Sequence, residues 1–209
     1  MTMKIIFARH GESEANVLRV LSNRDLPHGL TEKGRAQATQ LAQRLAGENV
    51  LALYASHILR AQQTARIISD HIGLPILTST ALRDFDCGEM EGRGDAAAWA
   101  AHNAVIAAWR ERNEYDARIP DGESHNDIRA RFVPFVDEVI REYGKREGTV
   151  AVVMHGSVLG LFAPVLMQNI SEAFAREQRI PNCACIVGEL RDGQLICLEW
   201  NGLVIQAEP

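Results

Sequence analysis

The chain has 209 residues, of which 46% are hydrophobic and 23% charged, with a net charge of -5 at pH 7. That length suits one domain with a full core, read here as a single unit over 1–209. The acidic balance argues against a nucleic-acid partner, and no run approaches the roughly 20 apolar residues of a membrane helix.

Ile5-Ile6-Phe7-Ala8 is an uninterrupted apolar run that ends in Arg9-His10-Gly11. It reads as a buried strand with polar side chains at its carboxyl end, where open α/β sheets bind ligands. Gly11 allows a sharp turn or a close approach of the backbone to a ligand. Ser13 to Arg24 is polar and reads as irregular, and Asp25-Leu26-Pro27-His28-Gly29 as a turn cluster. Thr31 is the expected N-cap of a helix whose Ala38, Leu41, Ala42 and Leu45 share a face, stopped by Gly47. Leu51–Ala55 is the second strand. Ser56 is expected to cap the next helix, which carries Leu59, Ala61, Thr64, Ala65, Ile67 and Ile68, with Arg60 in its first turn. A cation there is locally unfavourable unless something negative sits beside it.

Pro75-Ile76-Leu77 is a short third strand, and Ala81 to Gly92 a loop dense in carboxylates. Asp95 caps a helix with Trp99, His102, Val105, Ile106 and Trp109 near one face, a stripe read as packing, with lining a pocket as the lesser alternative. Ile119 to Ser124 turns into a long helix with Ile128, Phe132, Phe135, Val136, Val139 and Ile140 inward, ended by Gly148. Thr149–Met154 is the most strand-like run in the chain. It runs into His155-Gly156-Ser157 and a helix over about 158–168, repeating the opening pattern. Two strands follow, Ala184–Leu190 and Gln194–Trp200, joined by the hairpin signal Asp192-Gly193. The order β-α-β-α-β-(helical insert)-β-α-β-β predicts an α/β fold, a three-layer α/β/α sandwich with a mostly parallel central sheet and a helical lid over 84–123. Oligomeric state is not legible. If the strand at Leu195–Trp200 lies at a sheet edge, it offers itself to a homodimer partner.

The opening run is too short for a signal-peptide h-region, so a cytoplasmic protein is expected. Cys87, Cys183, Cys185 and Cys197 then read as free thiols. Cys183-Ala184-Cys185 lacks a second pair at zinc spacing, so no metal site is expected.

If the first and fourth strands are neighbours, His10 and His155 share one crevice with Arg9 and Arg60, a set suited to phosphate. The local contexts are Arg9-His10-Gly11-Glu12-Ser13-x-x-Asn16, Ser56-x-x-x-Arg60-Ala61-x-x-Thr64-Ala65, Leu82-Arg83-Asp84 with Gly88 and Gly92, and His155-Gly156. In this order and spacing they resemble the histidine phosphatase superfamily, the phosphoglycerate mutase-like clan, over essentially the whole chain. The resemblance implies a metal- and cofactor-independent enzyme acting on a small phosphorylated metabolite. It implies His10 as the nucleophile that takes the phosphoryl group, with Arg9, Arg60 and His155 holding the phosphate oxygens. Asn16 is a further oxygen ligand, Ser22 falls where some relatives place another contact, and Gly156 is counted with the binding residues. His10 must be neutral, and the arginines should depress its pKa, whereas His155 is more useful protonated.

The acid position departs from its relatives, which usually carry glutamate where this chain has Asp84. One methylene less shortens the reach by about 1.5 Å. Asp84 serves if the loop sits closer; otherwise Glu89 takes the role or turnover is slow. Asp84 is the reading preferred on motif position, and Glu91 reads as a solvated loop acid. The segment 84–123 holds ten acids, four arginines and no lysine. It is expected to repel densely phosphorylated substrates and favour a monophosphate ester. Phosphoglycerate mutase activity is the neighbouring alternative, set lower because such mutases are expected to be longer, with a basic insert. A non-catalytic phosphate-binding protein is the reading from another class. A dinucleotide-binding fold fails for want of G-x-G-x-x-G after the first strand.

Overall fold

A computed structural model describes residues 2–206. Its single sheet has the order β3-β2-β4-β1-β5-β6-β7. Strands β1 (Met3–Arg9), β2 (Val50–Ser56), β3 (Ile76–Ser79) and β4 (Gly148–Met154) run parallel. The strands β5 (Cys185–Arg191), β6 (Gln194–Trp200) and β7 (Leu203–Val204) form an antiparallel wing beyond β1. The sheet is thus mostly, not wholly, parallel.

Alternation along β1 explains the layers. Ile5 and Phe7 face one cluster, where they meet Phe132, Val136 and Val139 of α5 (His125–Tyr143) and Phe162 of α6 (Gly156–Leu166). Ile6 and Ala8 face the other, with Leu41, Ala42 and Leu45 of α2 (Glu32–Ala46) and Ala61, Ala65 and Ile68 of α3 (Leu59–Ile72). Both faces of the strand are covered, which is why it reads as a continuous apolar run.

Several expectations change in detail. Residues 13–24 are not wholly irregular: Ser13 precedes a one-turn helix α1 (Glu14–Leu18), too short to show a period. Ser56 does not cap α3. Ile58 holds that position, and the Ser56 hydroxyl is spent inside the protein. The long helix ends at Gly144, whereas Gly148 already opens β4. Thr31 and Asp95 do cap their helices, α2 and α4 (Ala96–Arg112), and Asp192-Gly193 turns with both φ positive, at 49° and 82°. A further short helix, α7 (Glu172–Glu177), and β7 were not anticipated.

The strand Gln194–Trp200 is not an open edge. Its free side is filled by a bridge from Met167 to Leu195, by Asn169, whose amide makes two 2.8 Å bonds with the Cys197 backbone, and by β7 at Glu199 and Trp200. These backbone groups of the strand are thus paired within the chain rather than left open. No helix among the described residues is long and apolar enough to cross a membrane.

Candidate active site

The parallel strands end together, and their carboxyl ends bring the chemistry to one place. His10 follows β1, Ser56 ends β2, His155 follows β4, and the loop after β3 supplies Asp84. The β1–β4 register pairs Arg9 with Met154, so the two imidazoles become neighbours, 5.2 Å apart between ring centroids. The Gly11 backbone N–H donates to Thr64 Oγ1. A Cβ on Gly11 would lie 2.4 Å from the carbonyl oxygen of Gly34, so the glycine admits helix α2, not a ligand. Gly156 has a comparable use: a Cβ there would lie 2.9 Å from Cδ of Arg9 and push its side chain aside.

His10 is 2% exposed. Its Nδ1 lies 2.7 Å from the carbonyl of Gly11, an acceptor only, so Nδ1 carries the proton and Nε2 the lone pair. Arg60 Nε donates to that Nε2 at 2.9 Å. His155 is fully buried, with Nε2 2.9 Å from Ser56 Oγ, while its Nδ1 accepts from Arg60 Nη2 at 3.2 Å. Burial, then the Arg60 guanidinium, push both imidazoles well below the usual histidine range, with Arg9 adding to the effect. Arg60 can only donate, so His155 Nδ1 keeps its lone pair and the ring is neutral in the free protein, unlike the protonated His155 expected; the one anion nearby, Asp84, is shared with Arg60.

Arg60 is 3% exposed, and its other partners explain a guanidinium in the first turn of a helix. Nη1 donates to the Ser22 carbonyl, and Nη2 reaches Asn23 Oδ1 at 3.3 Å and Asp84 Oδ2 at 3.4 Å. The negative neighbour required by the helix dipole is Asp84, which also lies 3.7 Å from His155 Nδ1. Arg9 donates from Nη1 to the Ile180 carbonyl at 2.7 Å, while its buried Nε has no partner among the described residues. Burial lowers both guanidiniums from their usual value, with Asp84 opposing. Both remain cationic, as arginine does in proteins.

A cavity of about 370 Å³ opens over these groups, lined by Arg9, His10, Asn16, Ser22, Arg60, Asp84 and Gly156. His155 lies beneath its surface and meets it through Arg60. Asn16 Oδ1 accepts from the Ser13 N–H and from Asn182, each at 3.1 Å, which leaves its amide N–H groups for a ligand. The Ser22 hydroxyl is engaged with His28 Nδ1 at 2.8 Å, so its contribution is the carbonyl that holds Arg60. Glu89 is exposed and does not line the cavity; of the two carboxylates, Asp84 alone stands beside His155 and Arg60. Glu91 is not a solvated acid. It accepts from the Asn23 N–H at 2.7 Å and the Cys87 N–H at 2.8 Å, tying two loops together, and burial raises its pKa.

The α4 stripe does more than pack. Trp109 and Val105 are buried, but Trp99, His102 and Arg110 line the cavity. Arg176, Gln178 and Arg179 complete it from a segment whose lack of periodicity gave no warning. Nor does the acid count of 84–123 describe the cavity. Asp86 pairs with Arg24, Glu123 with Arg83 and Arg131, and Asp95 with Arg93, so that Asp84 is the one carboxylate among five arginines in the lining. The acid count of 84–123 therefore gives no ground for expecting densely phosphorylated substrates to be repelled.

A mostly parallel sheet with two buried histidines and two guanidiniums at its strand ends defines a protein built to hold a phosphoryl group. The chain belongs to the histidine phosphatase superfamily (branch 1), which matches residues 5–202. It is 37% identical over 167 residues to a 2,3-bisphosphoglycerate-dependent phosphoglycerate mutase of Brucella ovis, covering 76% of this chain and 79% of that one. Those shares imply chains of nearly equal length, so length does not separate this protein from mutases. The structure of a mycobacterial glucosyl-3-phosphoglycerate phosphatase complexed with VO3 superposes with a TM-score of 0.81 at 25% identity, covering 96% of this chain and 99% of that one. The α-ribazole phosphatase of Shigella flexneri shares the fold, with a TM-score of 0.77 at 24% identity, covering 99% and 100%.

Proposed function

We propose that the protein is a metal-independent phosphatase that hydrolyses a small phosphate monoester through a phosphohistidine on His10. The observation that carries this is the His10 tautomer. With Nδ1–H committed to the Gly11 carbonyl, Nε2 is a neutral nucleophile facing guanidiniums and one carboxylate. Substrate phosphate oxygens take over the Arg60 Nε–H and meet the free N–H groups of Arg9 and Asn16. Nε2 then attacks phosphorus in line and the P–O ester bond breaks, while the proton that the phosphate monoanion brings into the site passes through the Asp84 carboxylate to the leaving oxygen. In the second half-reaction the Asp84 carboxylate takes a proton from water as the water oxygen attacks phosphorus. The P–N bond breaks and inorganic phosphate leaves.

The test is phosphate release in excess EDTA from p-nitrophenyl phosphate and from an alkyl phosphate. His10→Ala should abolish both. Asp84→Asn should lower kcat on the alkyl ester by about 10²–10⁴-fold and on the nitrophenyl ester by less, because the nitrophenolate leaves unprotonated and only the shared dephosphorylation step loses its base. Turnover that survives His10→Ala, or that vanishes with EDTA, would sink the reading.

The kinship with phosphoglycerate mutases favours a second reading, in which the phosphoryl group returns to the substrate. Incubation with 3-phosphoglycerate and catalytic 2,3-bisphosphoglycerate separates the two. A mutase makes 2-phosphoglycerate without net phosphate release, and a phosphatase releases phosphate.

A further inference from the structure

The cavity has more positive charge than one phosphoryl group uses. Arg9 and Arg60 stand at its histidine end, and Arg110, Arg176 and Arg179 line it as well. Arg110, on the last turn of α4, is partly buried. Burial, and then the neighbouring Arg176, lower its pKa from the usual value. Arg110 Nη2 reaches α6 beside Gly160, where even a Cβ would make only ordinary contact with it at 3.6 Å. Arg176 also donates to the Arg110 carbonyl at 3.3 Å. Among the described residues, neither Arg110 nor Arg179 has a carboxylate within salt-bridge distance. Glu172 offsets the positive charge only in part: it lies 3.9 Å from Arg176, between side chains about half exposed, and its charge opposes the lowering at Arg110 without an ion pair there. Adjacent guanidiniums, one of them desolvated, are unfavourable unless an anion joins them.

We propose that Arg110, Arg176 and Arg179 form a second anion site, so that the substrate carries a carboxylate or second phosphoryl group besides the one at His10. The assignment rests on the phosphatase reading for the first group only. It makes the three arginines specificity residues, which hold the part of the substrate that does not react. Guanidinium forks suit either anion, and the site discriminates against a neutral hydroxyl in its place.

Binding reads this separately from turnover. His10→Ala protein is titrated calorimetrically with two sets of phosphate monoesters. One pairs glycerol 3-phosphate with 3-phosphoglycerate, which differ in a hydroxymethyl against a carboxylate. The other sets glucose 6-phosphate beside 6-phosphogluconate and glucose 1,6-bisphosphate, placing a carboxylate or a phosphoryl at longer reach. In at least one set the doubly anionic ligand should bind about tenfold or more tightly than its neutral counterpart, and the preference should shrink as salt rises from 50 to 500 mM. The member with that preference identifies the chemistry as carboxylate or phosphoryl. Arg176→Gln/Arg179→Gln, at two exposed positions, should reduce the ratio to about two or three, and Arg110→Gln should do the same. Ratios near one in both sets, or a preference that survives all these substitutions, overturn the second site. Failure of hydrolysis in the wild type, with the ratio intact, overturns the phosphatase reading alone.

Discussion

Ser56 decides which proton His155 carries. Its hydroxyl faces His155 Nε2 at 2.9 Å, while Nδ1 is turned to Arg60, so the ring is held as the Nε2–H tautomer with its lone pair on the guanidinium. Ser56 also accepts from the Ile58 N–H at 3.3 Å and is itself fully buried. Ser56→Ala leaves a buried imidazole N–H unpaired, at a cost of about 1–3 kcal/mol. It also frees the ring to leave Arg60, whose aim at the phosphoryl group depends on it. We expect urea unfolding to show that loss, and kcat to fall about tenfold with KM changed much less. A variant that loses stability but keeps kcat would show that Ser56 serves the core alone. By local pattern Ser56 reads as a helix cap, whereas its hydroxyl serves His155. The reason is physical: a serine before a helix is commonly a cap, and the partner that claims it here lies 99 residues away, beyond any local pattern.

At the scale of elements, the shortened acid is carried by a loop that α5 grips. Arg131 of α5 donates from Nη1 to the carbonyls of Ala81 at 2.6 Å and Arg83 at 3.0 Å, and from Nη2 to the carbonyl of Asp84 at 3.2 Å. Its other bonds go to Glu123, which also accepts from Arg83 and from the Asp86 N–H. Arg131 is therefore a positioning residue: it fixes the backbone from which Asp84 reaches Arg60 and His155. Arg131→Met removes those bonds, and breaking a largely buried pair costs about 3–5 kcal/mol. A shift near 1 Å at Asp84 lowers kcat by up to about a hundredfold. Lysine should rescue poorly, since it lacks the fork. The check is kcat and KM on an alkyl phosphate below the melting temperature; an unchanged kcat in folded protein removes Arg131 from the site. Which elements were legible follows from their length. β1, β4, α2, α3 and α5 bury long faces and announce themselves by period. The five residues of α1 and the six of α7 cannot complete a pattern, so Arg176 passed unnoticed. The two histidines and Arg60 were readable because each sits at a strand end or a helix start, whereas Arg24, which pairs with Asp86, comes from 62 residues away.

The whole molecule stores several histidines in neutral form, and its stability should depend on pH accordingly. His10 and His155 are held well below the usual range by burial and by Arg60. His125, first residue of α5, is 8% exposed and stacks on Phe162 at 4.6 Å. Burial, helped by Arg129, pushes it down to about 4. In the unfolded chain each titrates near 6.5. Below that pH the unfolded state binds protons that the native state refuses, so stability is fully present above about 6.5 and declines as pH falls toward the folded value. The decline approaches about 1.4 kcal/mol per pH unit for each such group. Carboxylates held low by hydrogen bonds and arginines, such as Glu123 and Asp127, lose their contribution only near and below their unfolded values of about 4. The interval from pH 6.5 to 4.5 therefore belongs to the histidines. His125→Phe keeps an aromatic ring on Phe162, removes a buried Nδ1 that has no partner among the described residues, and deletes one titration. Urea unfolding at half-unit steps from pH 7.5 to 4.5 should show the variant at least as stable as the parent at pH 7.5. Its slope in the lower interval should be shallower by as much as about 1.4 kcal/mol per pH unit. Parallel curves for the two proteins would mean that His125 is protonated in the native state, and a parent curve flat down to pH 4.5 would say the same of the pair in the cavity.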